Sequence, residues 1–255
     1  MITTVLFDMG GTLEDIWVDE ASAQAAIAAL DGMLKGWGMD PGLSLEALRA
    51  SVEAGWKRYD VVRSAEDVEL KPIQIWCDYV LADFGFPRER LAPRCEAVAH
   101  MWEITHFHRR LRPRVAQMLG ELKAMGMKLG VISNTASLFQ VFDSLEEYGI
   151  RDFFQDVTLS SVTGMRKPLK DIFTVALRQV RSKPEECVYV GDTVSRDVIG
   201  SKRAGFACAI QIGSQLTREK DAPLEETLAP DYYITDICDV AKVVRELTEK
   251  TKDPA

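Results

Sequence analysis

The chain has 255 residues, 47% of them hydrophobic and 27% charged, with a formal net charge of −8 and a pI near 5.1. This is the composition of a globular protein long enough for one large domain or two smaller ones, and its acidity argues against nucleic acid or an anionic membrane as partner. Five dispersed cysteines (Cys77, Cys95, Cys187, Cys208, Cys238) without CxxC spacing make neither a disulfide frame nor a zinc site.

The chain opens on MITTVLFDMGGTL, an apolar run that stops at Asp8 and turns through Gly10, Gly11 and Thr12. A short buried strand ending there presents a carboxylate at its carboxyl end, and the glycines let the backbone turn tightly and approach a ligand. The run is too short for a signal peptide, and no segment approaches about 18 apolar residues, so the cytoplasm is the expected location and no membrane partner is expected. From about residue 16 to 109 the pattern is helical with no convincing strand. Ala21 to Leu34 is alanine-rich, and Leu45, Leu48, Val52, Trp56 and Tyr59 recur at steps of three and four behind a Ser44 cap. Helical stretches follow around residues 73–84 and 89–105.

From residue 110 helices alternate with short apolar runs. A helix face of Val115, Met118, Leu119, Leu122 and Met125 precedes a strand over residues 128–133. Next come a helix over 138–148, a strand over 156–161, a helix from about 169 to 181 and a strand over 187–192. A helix over 198–204 and strands over 207–212 and 232–235 complete the series. The final residues from Thr248 read as a frayed tail. Strands separated by helices of about ten residues predict βαβ units and a parallel sheet. The expected architecture is α/β: a Rossmann-like parallel sheet core formed by residues 1–15 and 110–255, with a helical cap domain, 16–109, inserted after the first strand.

In such a sheet functional residues gather beyond the carboxyl ends of the strands. One strand ends at Asp8, another at Ser133-Asn134, and a third at Gly191-Asp192 with Asp197 following; Lys167 sits in the turn Gly164-Met-Arg-Lys-Pro168. Three carboxylates aimed at one spot repel unless a divalent cation lies among them, and oxygen-only ligation suits Mg²⁺. A serine, backbone amides and a lysine supply what a phosphate needs. Taken singly, the same residues also read as a surface turn (Asp8), a helix cap (Ser133-Asn134), a solvated lysine (Lys167) and a first-turn acid (Asp197).

In this order the motifs resemble the haloacid dehalogenase-like (HAD) superfamily, in the branch with a helical cap inserted after the first motif. Asp8-Met9-Gly10-Gly11-Thr12 matches the family's Asp-x-Asp-Gly-Thr except at its third position; Ser133, Lys167 and Gly191-Asp192…Asp197 match the other three motifs. The resemblance implies Asp8 as a nucleophile forming an aspartyl-phosphate. It implies Mg²⁺ held by Asp8, the Gly10 carbonyl and Asp192, with Asp197 a direct or indirect ligand. The phosphoryl group would be held by Ser133, Asn134 and Lys167, aided by the Gly11-Thr12 turn. The expected activity is a Mg²⁺-dependent phosphatase of a small phosphorylated metabolite, working as a monomer or homodimer.

Gly10 stands where the family's phosphatases carry the acid/base aspartate. The substitution keeps a carbonyl but has no proton to give, and loss of such help typically lowers a rate by about 10²–10⁴. His106, His108, Glu14 and Asp15, where the insert joins the core, are candidate replacements. The alternatives are a phosphate- or partner-binding protein with little turnover, or dehalogenase or phosphonatase chemistry. Phosphonatase chemistry needs a cap lysine such as Lys35 or Lys57.

Overall fold

The computed structural model describes residues 1–214, 217, 221 and 228–250. Its centre is a parallel sheet in the order β5-β4-β1-β6-β7-β8. The strands are β1 (Thr4–Phe7), β4 (Lys128–Ser133), β5 (Asp156–Leu159), β6 (Cys187–Gly191), β7 (Cys208–Ile212) and β8 (Tyr232–Ile234). Alternate side chains of β1 enter different cores. Val5 and Phe7 pack with Val115, Leu119, Val131 and Val188, whereas Leu6 joins Ile132, Phe173 and Tyr189 on the other face. A strand covered on both sides must be apolar throughout, which is why the opening run carries no alternation. Because β1 lies between β4 and β6, the strand ends carrying Asp8, Ser133 and Gly191-Asp192 are neighbours.

The expected helices between residues 20 and 105 form, and they bury their own core. In it Trp56, Trp76 and Trp102 meet with ring centroids 5.6 to 6.0 Å apart. Helix α1 (Glu20–Gly36) is closed by a capping box between Asp19 and Ser22, and α2 (Leu45–Glu66) by Ser44, whose hydroxyl accepts from the Ala47 N–H at 3.2 Å. Helix α3 (Cys95–Thr105) returns the chain to the core. Between α2 and α3 the segment after Glu66 rests on the core: Glu69 N–H donates to the Gly164 carbonyl, Arg166 N–H to that of Asp67, and Lys71 Nζ to that of Ser161. No described helix is long and apolar enough to cross a membrane.

Three expectations need correction. The junction is not strand-free: β2 (Glu14–Trp17) pairs antiparallel with β3 (His108–Leu111) in a separate ribbon. Its residues are mostly charged or polar and, apart from the buried Glu14, at least partly exposed, so no apolar alternation announces it. It is held by facing pairs, Trp17 stacked on His108 at 5.1 Å and Asp15 bonded to Arg110. The strand expected over 156–161 stops at Leu159 and becomes a helical turn, Ser160–Thr163. The expected tail is partly helical, since the last helix spans Asp239–Lys250 and buries Val240, Val243 and Val244; residues 251–255 lie outside the described residues.

Gly55 sits where α2 crosses the turn Ile75–Val80. A Cβ there would stand 2.5 Å from Val80 Cα and 2.7 Å from its carbonyl oxygen, backbone atoms that cannot swing aside. Alanine favours a helix by up to about 1 kcal/mol, but overpacking of this kind costs about 1–3 kcal/mol. Gly55→Ala is therefore expected to lower the melting temperature in thermal unfolding; equal or greater stability would contradict this crossing.

Candidate active site

The polar strand ends converge on one buried ammonium. Lys167 Nζ lies 2.6 Å from Asp8 Oδ1, 2.7 Å from Asp197 Oδ1 and 3.1 Å from the Tyr189 hydroxyl, with only 3% of the residue exposed. Burial alone disfavours the lysine's charge, but Asp197 and Asp8 outweigh it and push its pKa up. For Asp197, burial pulls the other way from Lys167 and Thr193, which together hold the carboxyl below its usual range. Both partners are therefore charged. The Tyr189 phenol is driven well up by burial and then by Asp197 and Asp8, so it keeps its proton and donates to Asp197 Oδ1 at 3.3 Å.

Local sequence explains why the chain can make this cluster. Asn134 brackets Lys167, its Oδ1 accepting from the Lys167 N–H at 2.9 Å and its Nδ2 donating to the Lys167 carbonyl at 3.1 Å. Asp197 is held through its other oxygen by the N–H and hydroxyl of Thr193. A Cβ on Gly191 would collide with Asp197. One on Gly11, whose φ is +90°, would collide with the Asp192 carboxylate. Those two glycines let backbone lie directly against the acids. Asp192 Oδ2 accepts from the Ser214 hydroxyl at 2.6 Å.

Oxygens of Asp8, Asp192 and Asp197 lie within 4.8 Å of one another. An octahedral Mg²⁺ with bonds near 2.1 Å spaces its ligands by about 3 to 4.2 Å, so an all-oxygen donor set of this size fits that ion with small adjustment. Asp197 already accepts from Lys167, Tyr189 and Thr193. This leaves Asp8 and Asp192 as the better direct ligands.

Asp8, Gly10, Ser133, Asn134, Lys167 and Asp192 line a cavity of about 560 Å³, the size for a small metabolite. Trp56, Trp102, His106, Phe107 and Arg109 close it from the insert side. Gly11 and Thr12, expected at the phosphate, do not line it: Gly11 backs Asp192, and Thr12 is fully buried.

The candidate replacements for the missing acid separate. His108 is outside the cavity, stacked on Trp17 and bonded to Asp19, and Asp15 pairs with Arg110 and Arg112. His106 lines the cavity and stacks on Trp102 at 4.7 Å. Burial, then the charge of Arg49, lowers its pKa, and its Nδ1 is buried without a hydrogen-bond partner among the described residues. Glu14 is fully buried, bonded to Arg109 and to the Tyr148 hydroxyl, and burial raises its pKa despite those partners. A Cβ on Gly10 would meet Ile16 at 3.6 Å and Glu14 Oε1 at 3.8 Å, ordinary contacts, and the φ of Gly10 is not in the left-handed region. Lys57 lines the cavity, whereas Lys35 is tied to Asp31 outside it.

Tyr189, Thr193, Ser214, Arg109, Glu103, Arg166 and Arg196 join the site without having been singled out in the sequence. Arg166 and Arg196 flank expected site residues, Lys167 and Asp197, but a single basic residue in a turn is no signal by itself.

A family model for haloacid dehalogenase-like hydrolases matches residues 2–205. The chain belongs to that family. Among its relatives, a glyceraldehyde 3-phosphate phosphatase of Methanopyrus kandleri is 29% identical over 98% of this chain and 100% of its own. A protein of the same name from Methanocaldococcus jannaschii is 35% identical over 53% of this chain and 57% of its own. In fold the HAD-like chain is similar to a 2-haloacid dehalogenase of Pseudomonas syringae, with a TM-score of 0.67 and 22% identity over 97% of this chain and 100% of that one. It is also similar to a HAD phosphatase of Thermococcus onnurineus, with a TM-score of 0.57 and 21% identity over 95% and 98% of the two chains. The chain is thus an enzyme of the HAD-like hydrolases on an α/β core.

Lys167 is the counter-ion of two buried carboxylates, and breaking such a pair costs about 3–5 kcal/mol. Lys167→Met should lose about that much in chemical denaturation. Lys167→Met combined with Asp197→Asn should recover part of the loss, because one stranded charge is gone. A single variant as stable as the parent would mean the three groups are not charged together.

Proposed function

We propose that this HAD-like hydrolase is a Mg²⁺-dependent phosphatase of a small phosphorylated metabolite, with Asp8 as nucleophile. The observation that carries the reading is the placement of Lys167 against Asp8 at the mouth of a metabolite-sized cavity, beside a three-carboxylate cluster. The names of the two relatives support it. Halide displacement has no use for a three-acid cation site, which favours phosphate over dehalogenase chemistry.

A carboxylate attacks a phosphate dianion only if their mutual repulsion is cancelled. Lys167 carries part of that duty at Asp8 itself. Asp8, Asp192 and the Gly10 carbonyl would hold a Mg²⁺ ion, which would supply further positive charge at the phosphoryl oxygens. The Ser133 hydroxyl lines the cavity and donates to a phosphoryl oxygen, while Asn134 fixes Lys167. An Asp8 oxygen bonds to phosphorus as the bond to the leaving oxygen breaks, giving an aspartyl-phosphate and an alkoxide that takes a proton. Water then attacks the phosphorus, releasing inorganic phosphate and restoring Asp8. Residues 16–109 act as the cap over this reaction and residues 1–15 and 110–255 as its core, with the β2–β3 ribbon across both junctions.

The first motif has no second carboxyl to serve the leaving oxygen, so proton transfer falls to water, to the substrate, to His106 or to an acid of the lining such as Glu53 or Glu103. The route through His106 is the weaker help, because its low pKa leaves it neutral and able to accept a proton more readily than to give one.

A screen of phosphate esters with and without Mg²⁺, read as phosphate release, tests the reading; metal-independent release, or none, would contradict it. Gly10→Asp is sterically admissible and adds a carboxyl beside Ile16, which lines the cavity, and Glu14. The expected gain in kcat is about 10 to 10³-fold. An unchanged rate in a folded, Mg²⁺-binding variant would show that another group already moves the proton.

A further inference from the structure

The cavity carries more positive charge than one phosphoryl group engages. Besides Lys167, it is lined by Lys57 and Arg63 of α2, Arg109 of β3, Arg166 in the turn before Lys167, and Arg196 in the turn Val194–Val198; of these Lys57 is exposed to solvent. Most of these are neutralised from within. Lys167 has Asp8 and Asp197, Arg109 has Glu14 and Glu103, Arg166 has the buried Glu69, and Arg63 has Asp60 at 2.5 Å. Arg196 makes no hydrogen bond or ion pair with any described residue. Its neighbour Asp197 has both oxygens committed to Lys167, Tyr189 and Thr193. Burial, and after it the charge of Arg166 and Arg63, lowers the Arg196 pKa against the smaller opposing pull of Asp197 and Asp8. A sheltered guanidinium set among other guanidiniums is unfavourable in the empty protein. It is satisfied by an anion that brings its own charge.

In the phosphatase reading the transferred group would be held by Ser133, Lys167 and a cation at Asp8 and Asp192, which leaves Arg196 without a role there. We propose that Arg196, between Arg166 of the core and Arg63 of the insert, forms a second anion subsite, so that the preferred substrates bear a carboxylate or a second phosphate on the part that leaves. The inference rests on the phosphatase reading and narrows its substrate class. A planar five-donor fork suits either anion, and binding one would join insert to core across the cavity.

Non-hydrolysable phosphonates test it without turnover. The Mg²⁺-loaded full chain is titrated calorimetrically with propylphosphonate, whose tail is neutral, with 3-phosphonopropionate, which adds a carboxylate, and with propane-1,3-bisphosphonate, which adds a second phosphonate. A charged hydrogen-bonded contact predicts that at least one doubly anionic ligand binds about 10 to 10²-fold tighter than propylphosphonate. Which of the two gains most identifies the second anion. In Arg196→Gln the advantage should vanish, and Arg196→Lys should keep part of it. Equal binding of all three ligands by the parent overturns the proposal, whether or not the glutamine variant folds. So does an Arg196→Gln variant that loses all three alike, since Arg196 would then serve the transferred group. If no phosphonate binds and no ester releases phosphate, the phosphatase reading itself fails and the subsite falls with it. If propylphosphonate binds and esters turn over without any doubly anionic preference, only the subsite fails.

Discussion

Two buried carboxylates share one ammonium. Lys167 between Asp8 and Asp197 is the interaction around which the rest of the site is arranged. A charge so sheltered is tolerable only when its partners are fixed, and each is fixed by a different part of the chain. Strand β1 delivers Asp8, Thr193 grips Asp197, and Asn134 at the end of β4 holds the Lys167 backbone from both sides. The turn that carries Lys167 is anchored in addition to the insert, through Arg166 on Glu69 and through the backbone bonds between 67–69 and 164–166. Glu69 also accepts from the Tyr59 hydroxyl of α2 at 2.5 Å and from Ser160 at 2.9 Å. The helical insert and the turn that carries Lys167 are thus joined by a buried polar network.

A second buried network lies beneath Gly10. Glu14, Arg109, Glu103 and Tyr148 join the ribbon, α3 and the core helix Gln140–Glu147 with its following residue. Nothing in the space or backbone at position 10 demands glycine. The acid Glu14 lies just beyond it. It faces Arg109 and Tyr148 rather than the cavity, and it is fully buried. The carboxyl group nearest to a Cβ at position 10 is therefore structural: it orders the Arg109 side chain that lines the cavity.

The sheet and the strand-end residues were legible in the sequence because their signals are local. A strand buried on both faces has to be an unbroken apolar run, and a carboxylate closing such a run stands out, as Asp8 and Asp192 do. Ser133, Asn134 and Lys167 followed from the same logic, although the Asn134 side chain proves to hold the lysine. The ribbon was invisible because β2 and β3 are stabilised by charge pairs and stacking between residues about ninety apart. Tyr189 read as one more core residue of β6, and only the fold puts its hydroxyl on Lys167 and Asp197. Arg196 stood beside an expected motif acid, but that it is left unneutralised depends on the partners that Arg63, Arg109, Arg166 and Lys167 found. Placing Gly11 and Thr12 at the phosphate overlooked that a glycine can be required by what lies behind it, here Asp192.

The account turns on Asp8 taking the phosphoryl group covalently. Acid quenching of the Mg²⁺-loaded enzyme during turnover of a phosphate ester, followed by peptide mass spectrometry, reads this directly. The account predicts a phosphorylated peptide containing Asp8, labile to mild base and absent in Asp8→Asn, in both the parent and Gly10→Asp. Steady phosphate release with no acyl-phosphate at Asp8 in either enzyme, or phosphate on another residue, would contradict it.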